Sequence, residues 1–382
     1  MKYLLIFVFL YWLIRGLDLV IGILFRIPYL KKSDHSSSKM NYPKVSIIFA
    51  ARNEALHINQ AIEKMLMQNY PDFEVIAVND RSNDETGMIL NAINHPRLKV
   101  VHITELPKHW LGKTHALYQG YGISTGEWIL FTDADVQMET QTLSMAMQAI
   151  ENKQLDHLAL FPKVIIKNYF ENIFVSYFSL IFNMHFRTWA AQSSRSKAYV
   201  GIGAFNLVRR DVYKKIGTHQ SLAMDIADDM MLGKRIKRSG FHQMAMYGYS
   251  HISVRWVDGI KGVFNSLHKN SFRGLNYNFL MLGIATLGML LVDILPFVGL
   301  WMFHGTEFGL CAAAVGLIGL IYLSGSCYVP ATILAFPAHM FSCLLFVFIL
   351  WRSALSALKN NGVRWRGTVY SLKELRESSE NL

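Results

Sequence analysis

Apolar residues concentrate at the two ends of the chain, while the middle alternates between short apolar runs and helix-spaced segments. From Tyr3 to Phe25 only Arg15, Gly16 and Asp18 interrupt an apolar stretch long enough for one bilayer crossing. No small-residue cleavage site follows, which favours an anchor over a removable signal peptide. Arg15 and Asp18 share a helical face, where they either neutralise each other or meet another helix. Membrane-like character returns at Phe279. Phe279–Phe303 carries one charge, Asp293, and Phe308–Val329 and Ala331–Trp351 carry none, which leaves room for two or three more crossings.

In the middle, Val45–Ala51, Phe73–Val78, Leu98–Ile103 and Glu127–Phe131 read as strands. Leu56–Met67, Glu85–Ile93 and Thr114–Ile123 have helical spacing between them. Strands alternating with helices predict crossover units, hence an α/β fold with a mostly parallel sheet and helices on its faces. Ligands in such sheets bind beyond the carboxyl ends of the strands. Polar residues punctuate those ends: Arg52-Asn53-Glu54, Asn79-Asp80, and Asp133 with Asp135. The predicted organisation is an anchor over 1–27 and a linker over 28–43 that contains the serine-rich Ser33–Ser38. An α/β domain over 44–275, a membrane region over 276–354 and a basic tail over 355–382 follow.

Composition agrees with a membrane-bound chain. Of 382 residues 52% are hydrophobic and 17% charged, and the net charge is +11. No compact basic stripe with interleaved stacking aromatics is present, which argues against nucleic acid. Anionic lipid headgroups and a phosphate-bearing substrate suit the charge better. Arg26, Lys31, Lys32 and Lys39 after the first apolar segment place the middle of the chain on the cytoplasmic side. Arg352, Lys359, Arg364 and Arg366 point the tail the same way, whereas three C-terminal crossings would put it on the other. Cys311, Cys327 and Cys343 all lie in apolar sequence without metal-ligand spacing and read as inert packing residues.

IIFAARNEA (47–55), VNDRSNDET (78–86), TDADV (132–136) and ADDMMLGKRIKRSG (227–240), in that order, resemble a family 2 glycosyltransferase with the nucleotide-sugar-binding GT-A fold. HWLGKTHALYQG (109–120), the apolar C-terminus and NGVRWRGTVYS (361–371) resemble the bacterial subgroup of carotenoid (diaponeurosporenoate) and hopanoid-associated glycosyltransferases. The resemblance implies a Rossmann-like sheet and a UDP-sugar donor. It also implies a divalent cation, Mg²⁺ or Mn²⁺, and inversion at the anomeric carbon.

Each motif has a chemical reason beside that resemblance. Asp133 and Asp135 at i and i+2 can share a strand face and grip a hard cation through oxygen, although an Asp-rich turn after a strand is common. The family implies that Asp135 holds the metal and that Asp133 reaches the ribose or the metal. It implies also that Asp80 accepts a hydrogen bond from uracil, with Ala50, Arg52 and Glu54 near the nucleoside. A turn or helix cap is the plainer reading of Asp80. Lys113 opens a helix, a position suited to phosphate or simply to solvent. Trp110 is a candidate wall of the same pocket.

Asp228 and Asp229 begin a helix, where the dipole already favours carboxylates. The family implies that the second member is the general base on the acceptor hydroxyl, hence Asp229, with Asp228 in support. His251 is a further candidate metal ligand. Gly203 and Ala204 lie in a small-residue loop, and Arg255-Trp256 resembles part of the Gln-x-x-Arg-Trp motif; all four are candidate acceptor contacts. Ile252 replaces the glutamine, a departure that favours a single transfer over a processive polysaccharide synthase. The aromatic-rich stretch Tyr169–Trp189 reads either as an interfacial helix admitting a lipid acceptor or as a buried domain helix.

The leading expectation is a multi-pass membrane enzyme with a cytoplasmic catalytic domain. It moves a hexose from a UDP-sugar to a lipid or isoprenoid acceptor. A sugar nucleotidyltransferase lacks the glycine- and arginine-rich start loop, and a non-catalytic membrane scaffold has no need of Asp80, Asp133, Asp135 and Asp229.

Overall fold

The computed structural model describes residues 1–32, 41–268, 271–326, 329–365 and 368–380. Ser33–Ser38, Lys39, Cys327 and Arg366, singled out above, lie outside the described residues. The chain divides into two compact units.

One unit comprises Ile27–Ile165 and Thr188–Arg255. Its strands are β1 (Val45–Ala51), β2 (Phe73–Asp80), β3 (Leu98–Ile103), β4 (Trp128–Asp133), β5 (Gln137–Met138), β6 (His157–Phe161), β7 (Lys163–Val164), β8 (Asn206–Arg209), β9 (Gln243–Tyr247) and β10 (Ile252–Val254). Among the described residues seven of them form a sheet in the order β3-β2-β1-β4-β8-β6-β9, and β5-β10-β7 form a smaller one. β1 is parallel to β2 and β4, β2 to β3, and β6 to β9; β8 alone runs antiparallel to its neighbours β4 and β6.

The expected mostly parallel α/β sheet with surrounding helices is therefore what the chain forms. VSIIFAA and FEVIAVND are near-continuous apolar runs because both faces of these strands are covered. Ile47, Ile48, Val75, Ile76, Leu130 and Leu158 are fully buried in that core. The amino-terminal side of the sheet is tied by a buried carboxylate. Glu74 accepts hydrogen bonds from Ser46 Oγ at 2.7 Å and Thr125 N at 2.6 Å, and pairs with Lys99 at 2.6 Å. Burial opposes its charge, but the bonds from Lys99, Thr125 and Ser46 outweigh it and hold the carboxyl at about 2. At the opposite side, Ala50 of β1 lies beside Val78 of β2 and Asp133 of β4. That register gathers the polar strand ends on one rim.

The other unit comprises Met1–Arg26, Ile166–Arg187 and Trp256–Glu380. Among the described residues, four of its helices are long and apolar enough to cross a membrane: Lys2–Arg26, Phe279–Met302, Gly305–Gly325 and Thr332–Lys359. The aromatic-rich stretch forms the helix Tyr169–Phe186 in this unit, with the Asn168 side chain accepting from Glu171 N at its start. Arg15 donates to the carbonyl of Met184, and Asp18 pairs with Arg187 Nε at 2.8 Å. Both charges of the first apolar helix thus meet that second helix and its C-terminal residue. Asp293 is buried and pairs with His339 Nε2 at 3.2 Å. Cys311 and Cys343 are buried free thiols, as expected of packing residues.

Candidate active site

The carboxyl rim of the larger sheet collects most of the residues singled out by motif. β4 ends at Asp133, and the helix Gly112–Ile123 begins two residues before Thr114, which places Lys113 in its first turn. The start of this helix is fixed by Leu111 N and Thr114 Oγ1, which both donate to the carbonyl of Ala223, at 2.8 and 2.7 Å. Lys113 Nζ lies 2.7 Å from Asp133 Oδ1 and 3.8 Å from Asp228 Oδ1. Burial works against the ammonium, but Asp133, Asp228 and Asp229 together raise its pKa and keep it charged.

The helix Asp228–Arg238 brings in the second acidic pair. It approaches the loop before β8 so closely that no side chain fits between them. A Cβ at Gly201 would stand 1.8 Å from the carbonyl of Asp229, and one at Gly233 1.8 Å from that of Val200. Thr132 Oγ1 donates to the Ala204 carbonyl at 2.7 Å, tying the same loop to β4. At Gly203 a Cβ would meet Asp133 Oδ2 at 2.7 Å and Asp229 Oδ2 at 3.3 Å. The bare glycine is what lets the two carboxylates face one space. Lys113, Gly203, Asn206, His219, Asp228 and Asp229 line a pocket there. Asp229 Oδ1 accepts from Met230 N at 2.7 Å. Burial, then the charge of Asp228, push the Asp229 carboxyl up to about 6.

Asp135 follows in the turn between β4 and β5. Its carboxyl is pushed up to about 7 by burial, then by Asp133 and by Glu54. Carboxylate oxygens are the donors that Mg²⁺ or Mn²⁺ prefers, and the repulsion that Asp133 and Glu54 exert on Asp135 is what a divalent cation relieves. The residues fit such an ion. Among the described residues no group of three or more His, Cys, Asp and Glu side chains forms a ready cage. Phosphate and water oxygens would have to complete a shell. His251 sits just before β10, and its carbonyl accepts from Glu139 N at 2.8 Å and Thr142 Oγ1 at 2.9 Å. Its chain segment thus runs beside the one that follows Asp135.

Farther along the rim, the loops after β1 and β2 are stitched together. Asn53 Oδ1 accepts from Asn83 N at 2.8 Å, and Glu54 N donates to Thr86 Oγ1 at 2.8 Å. Asp80 is held by Arg81 at 2.7 and 3.1 Å and lies 3.8 Å from Arg52. Trp110 stacks on Tyr118 at 5.2 Å between ring centroids. The two acceptor candidates Arg255 and Trp256 part company at the boundary between units. Arg255 Nη1 donates to the Ile165 carbonyl at 2.7 Å, and the Trp256 ring packs against Phe178 at 4.7 Å.

Two pocket residues carried no motif. Asn206 Nδ2 donates to the carbonyl of Asp229 at 3.3 Å, and its Oδ1 accepts from the buried His157. His219 Nε2 lies 3.8 Å from Asp228 Oδ2. The only hint at His219 is the turn Gly217-Thr218 before it, where both residues have positive φ.

Residues 46–217 match the model of the family Glycosyl transferase family 2. Two 4,4'-diaponeurosporenoate glycosyltransferases of Staphylococcus aureus, from strains bovine RF122 / ET3-1 and MRSA252, are each 25% identical to the chain over 354 and 355 residues, which is 87% of this chain and 90% of each relative. Among solved structures, a mannosyltransferase from Pyrobaculum calidifontis (PcManGT, in complex with GDP-Man and Mn2+) is similar with a TM-score of 0.56 at 18% identity, over 94% of this chain and 98% of that one. That likeness is one of fold, and the fold is GT-A.

Proposed function

We propose that this chain, a glycosyltransferase whose residues 46–217 match the model of Glycosyl transferase family 2, moves one hexose from a UDP-sugar to a lipid or isoprenoid acceptor, with inversion and with a divalent cation. The observation that carries the reading is the convergence of Lys113, Asp133, Asp228 and Asp229 around the bare backbone of Gly203. A scaffold has no use for an ammonium shared between two acidic motifs nearly a hundred residues apart. The names of the Staphylococcus aureus relatives and the apolar helices support an isoprenoid-like acceptor at a membrane.

The acceptor oxygen attacks the anomeric carbon while the sugar–phosphate bond breaks and UDP departs. Asp229 takes the proton from the acceptor hydroxyl, on the face of the sugar opposite the leaving group. Its raised carboxyl suits that task, because a base near neutral pH accepts a proton more readily than an ordinary aspartate. Asp228 stands 3.8 Å from Lys113 and supports the base. Lys113 receives the diphosphate, together with the amide groups at the start of its helix. Asp135 and Asp133, with His251 as a further ligand, would hold a divalent cation, which would supply positive charge toward the departing phosphate. Asp80, Arg52, Glu54 and the backbone at Ala50 bound the nucleoside. Gly203 and Ala204 leave room for the acceptor.

Release of UDP from a UDP-sugar, measured with purified enzyme and lipid extract, tests the assignment. Asp229→Asn is expected to lower turnover at least about a hundredfold, and chelation of divalent cations to abolish it. Equal turnover in wild type and D229N refutes the base, and activity indifferent to a chelator refutes the metal.

A further inference from the structure

We propose that His219, held by Tyr213, is a positioning residue that fixes the Asp228 carboxylate beside the base. The proposal rests on the reading of Asp229 as that base. The Tyr213 hydroxyl accepts a hydrogen bond from the backbone N–H of His219 at 2.8 Å and lies 2.7 Å from His219 Nδ1. The buried hydroxyl needs an acceptor for its own proton, and His219 Nδ1 stands within reach, so the proton is assigned to that bond. A neutral imidazole then carries its own proton on Nε2. That edge faces Asp228 Oδ2 at 3.8 Å and lines the pocket. Tyr213 is 0% exposed and His219 1%, so water does not compete for either group. Phe131 packs edge-on against the imidazole at 4.6 Å and Tyr121 against Tyr213 at 4.8 Å, which holds both rings in place.

A histidine serving only the core would turn neither nitrogen toward a charged residue that lines the pocket. Here one nitrogen is spent on Tyr213 and the other is aimed at a carboxylate in the site. Asp228 therefore has an N–H dipole toward one oxygen and the Lys113 ammonium toward the other, each at 3.8 Å. Both point positive charge or an N–H dipole at the carboxylate from opposite sides, which fixes its orientation beside Asp229. At this distance the His219 contact is not yet a hydrogen bond, and such contacts tighten when the pocket fills. The chain Tyr213, His219, Asp228 is thus a device for telling two adjacent aspartates apart.

The test is the kcat and donor KM of H219Q, H219F, Y213F and D229N, with melting temperatures of each. Glutamine keeps an N–H where Nε2 stands, so H219Q is expected within about threefold of wild-type kcat. H219F removes the donor and is expected to lower kcat about tenfold at unchanged KM. Should H219F not fold, Y213F carries the test, with a several-fold loss of kcat expected and wild-type kcat overturning the proposal. Wild-type kcat in H219F, or equal losses in H219Q and H219F with unchanged melting, also overturns it. An inactive D229N beside a fully active H219F leaves the base standing and removes only the positioning role. A fully active D229N overturns both.

Discussion

Asp228 and Asp229 are neighbours in sequence that sit in different fields. Asp228 lies 3.8 Å from both Lys113 and His219, whereas the Asp229 carboxyl is pushed up to about 6, by burial first and then by Asp228 itself. If Asp229 is the base, it works only when deprotonated. Turnover should therefore be level above that value and fall as pH drops through about 6, which a pH profile of UDP release checks. Both acidic pairs were legible in the sequence because each belongs to a motif with a fixed spacing. His219 and Asn206 were not. Their contacts with Asp228 and Asp229 exist only because the chain before the helix Asp228–Arg238 and the strand β8 cross the same pocket. The Arg81 side chain on Asp80 was equally hidden, since an ion pair between sequence neighbours depends on a positive φ that no local pattern announces.

The closest packing in the site lies between elements rather than between side chains. Gly201 and Gly233 let the loop before β8 and the helix Asp228–Arg238 touch backbone to backbone. Gly201→Ala has no side-chain tip that can yield, so it is expected to cost on the order of 2 kcal/mol or more and to lower the melting temperature measurably. β6 and β8 contribute a second dependence. His157 is fully buried and bonded to Asn206 Oδ1; burial holds its pKa at about 4, against 6.5 when unfolded. The unfolded chain thus binds the proton first. The stabilisation is full above 6.5, is lost as pH falls toward 4, and amounts to at most about 3 kcal/mol. Thermal melts across that window should slope less in His157→Gln than in wild type. Strands β1 and β3 were legible to the residue because their apolar runs end in turn residues. β2 and β4 run two residues further than their apolar pattern, into Asp80 and Asp133, because the sheet hydrogen bonds continue where hydrophobicity stops. The short strands β5 to β10 carry too few residues for any period to show.

At the scale of the whole molecule, the two apolar ends belong to one compact unit and the alternating middle supplies the other. Composition accounts for most of the division, because long apolar helices and a two-sided sheet do not share a core. The helix Tyr169–Phe186 was the ambiguous piece. It is too polar in places to read as a crossing, yet it groups with the apolar helices, where Arg15, Asp18 and Ser342 meet its backbone or its end. The enzyme is therefore expected to act on a substrate dissolved in the bilayer. Membranes containing the protein, incubated with labelled UDP-sugars and a divalent cation and then extracted, measure this most directly. Mass analysis should find the label in a lipid carrying one added hexose, and should find none with D229N. Label appearing only in a water-soluble polymer would contradict the account.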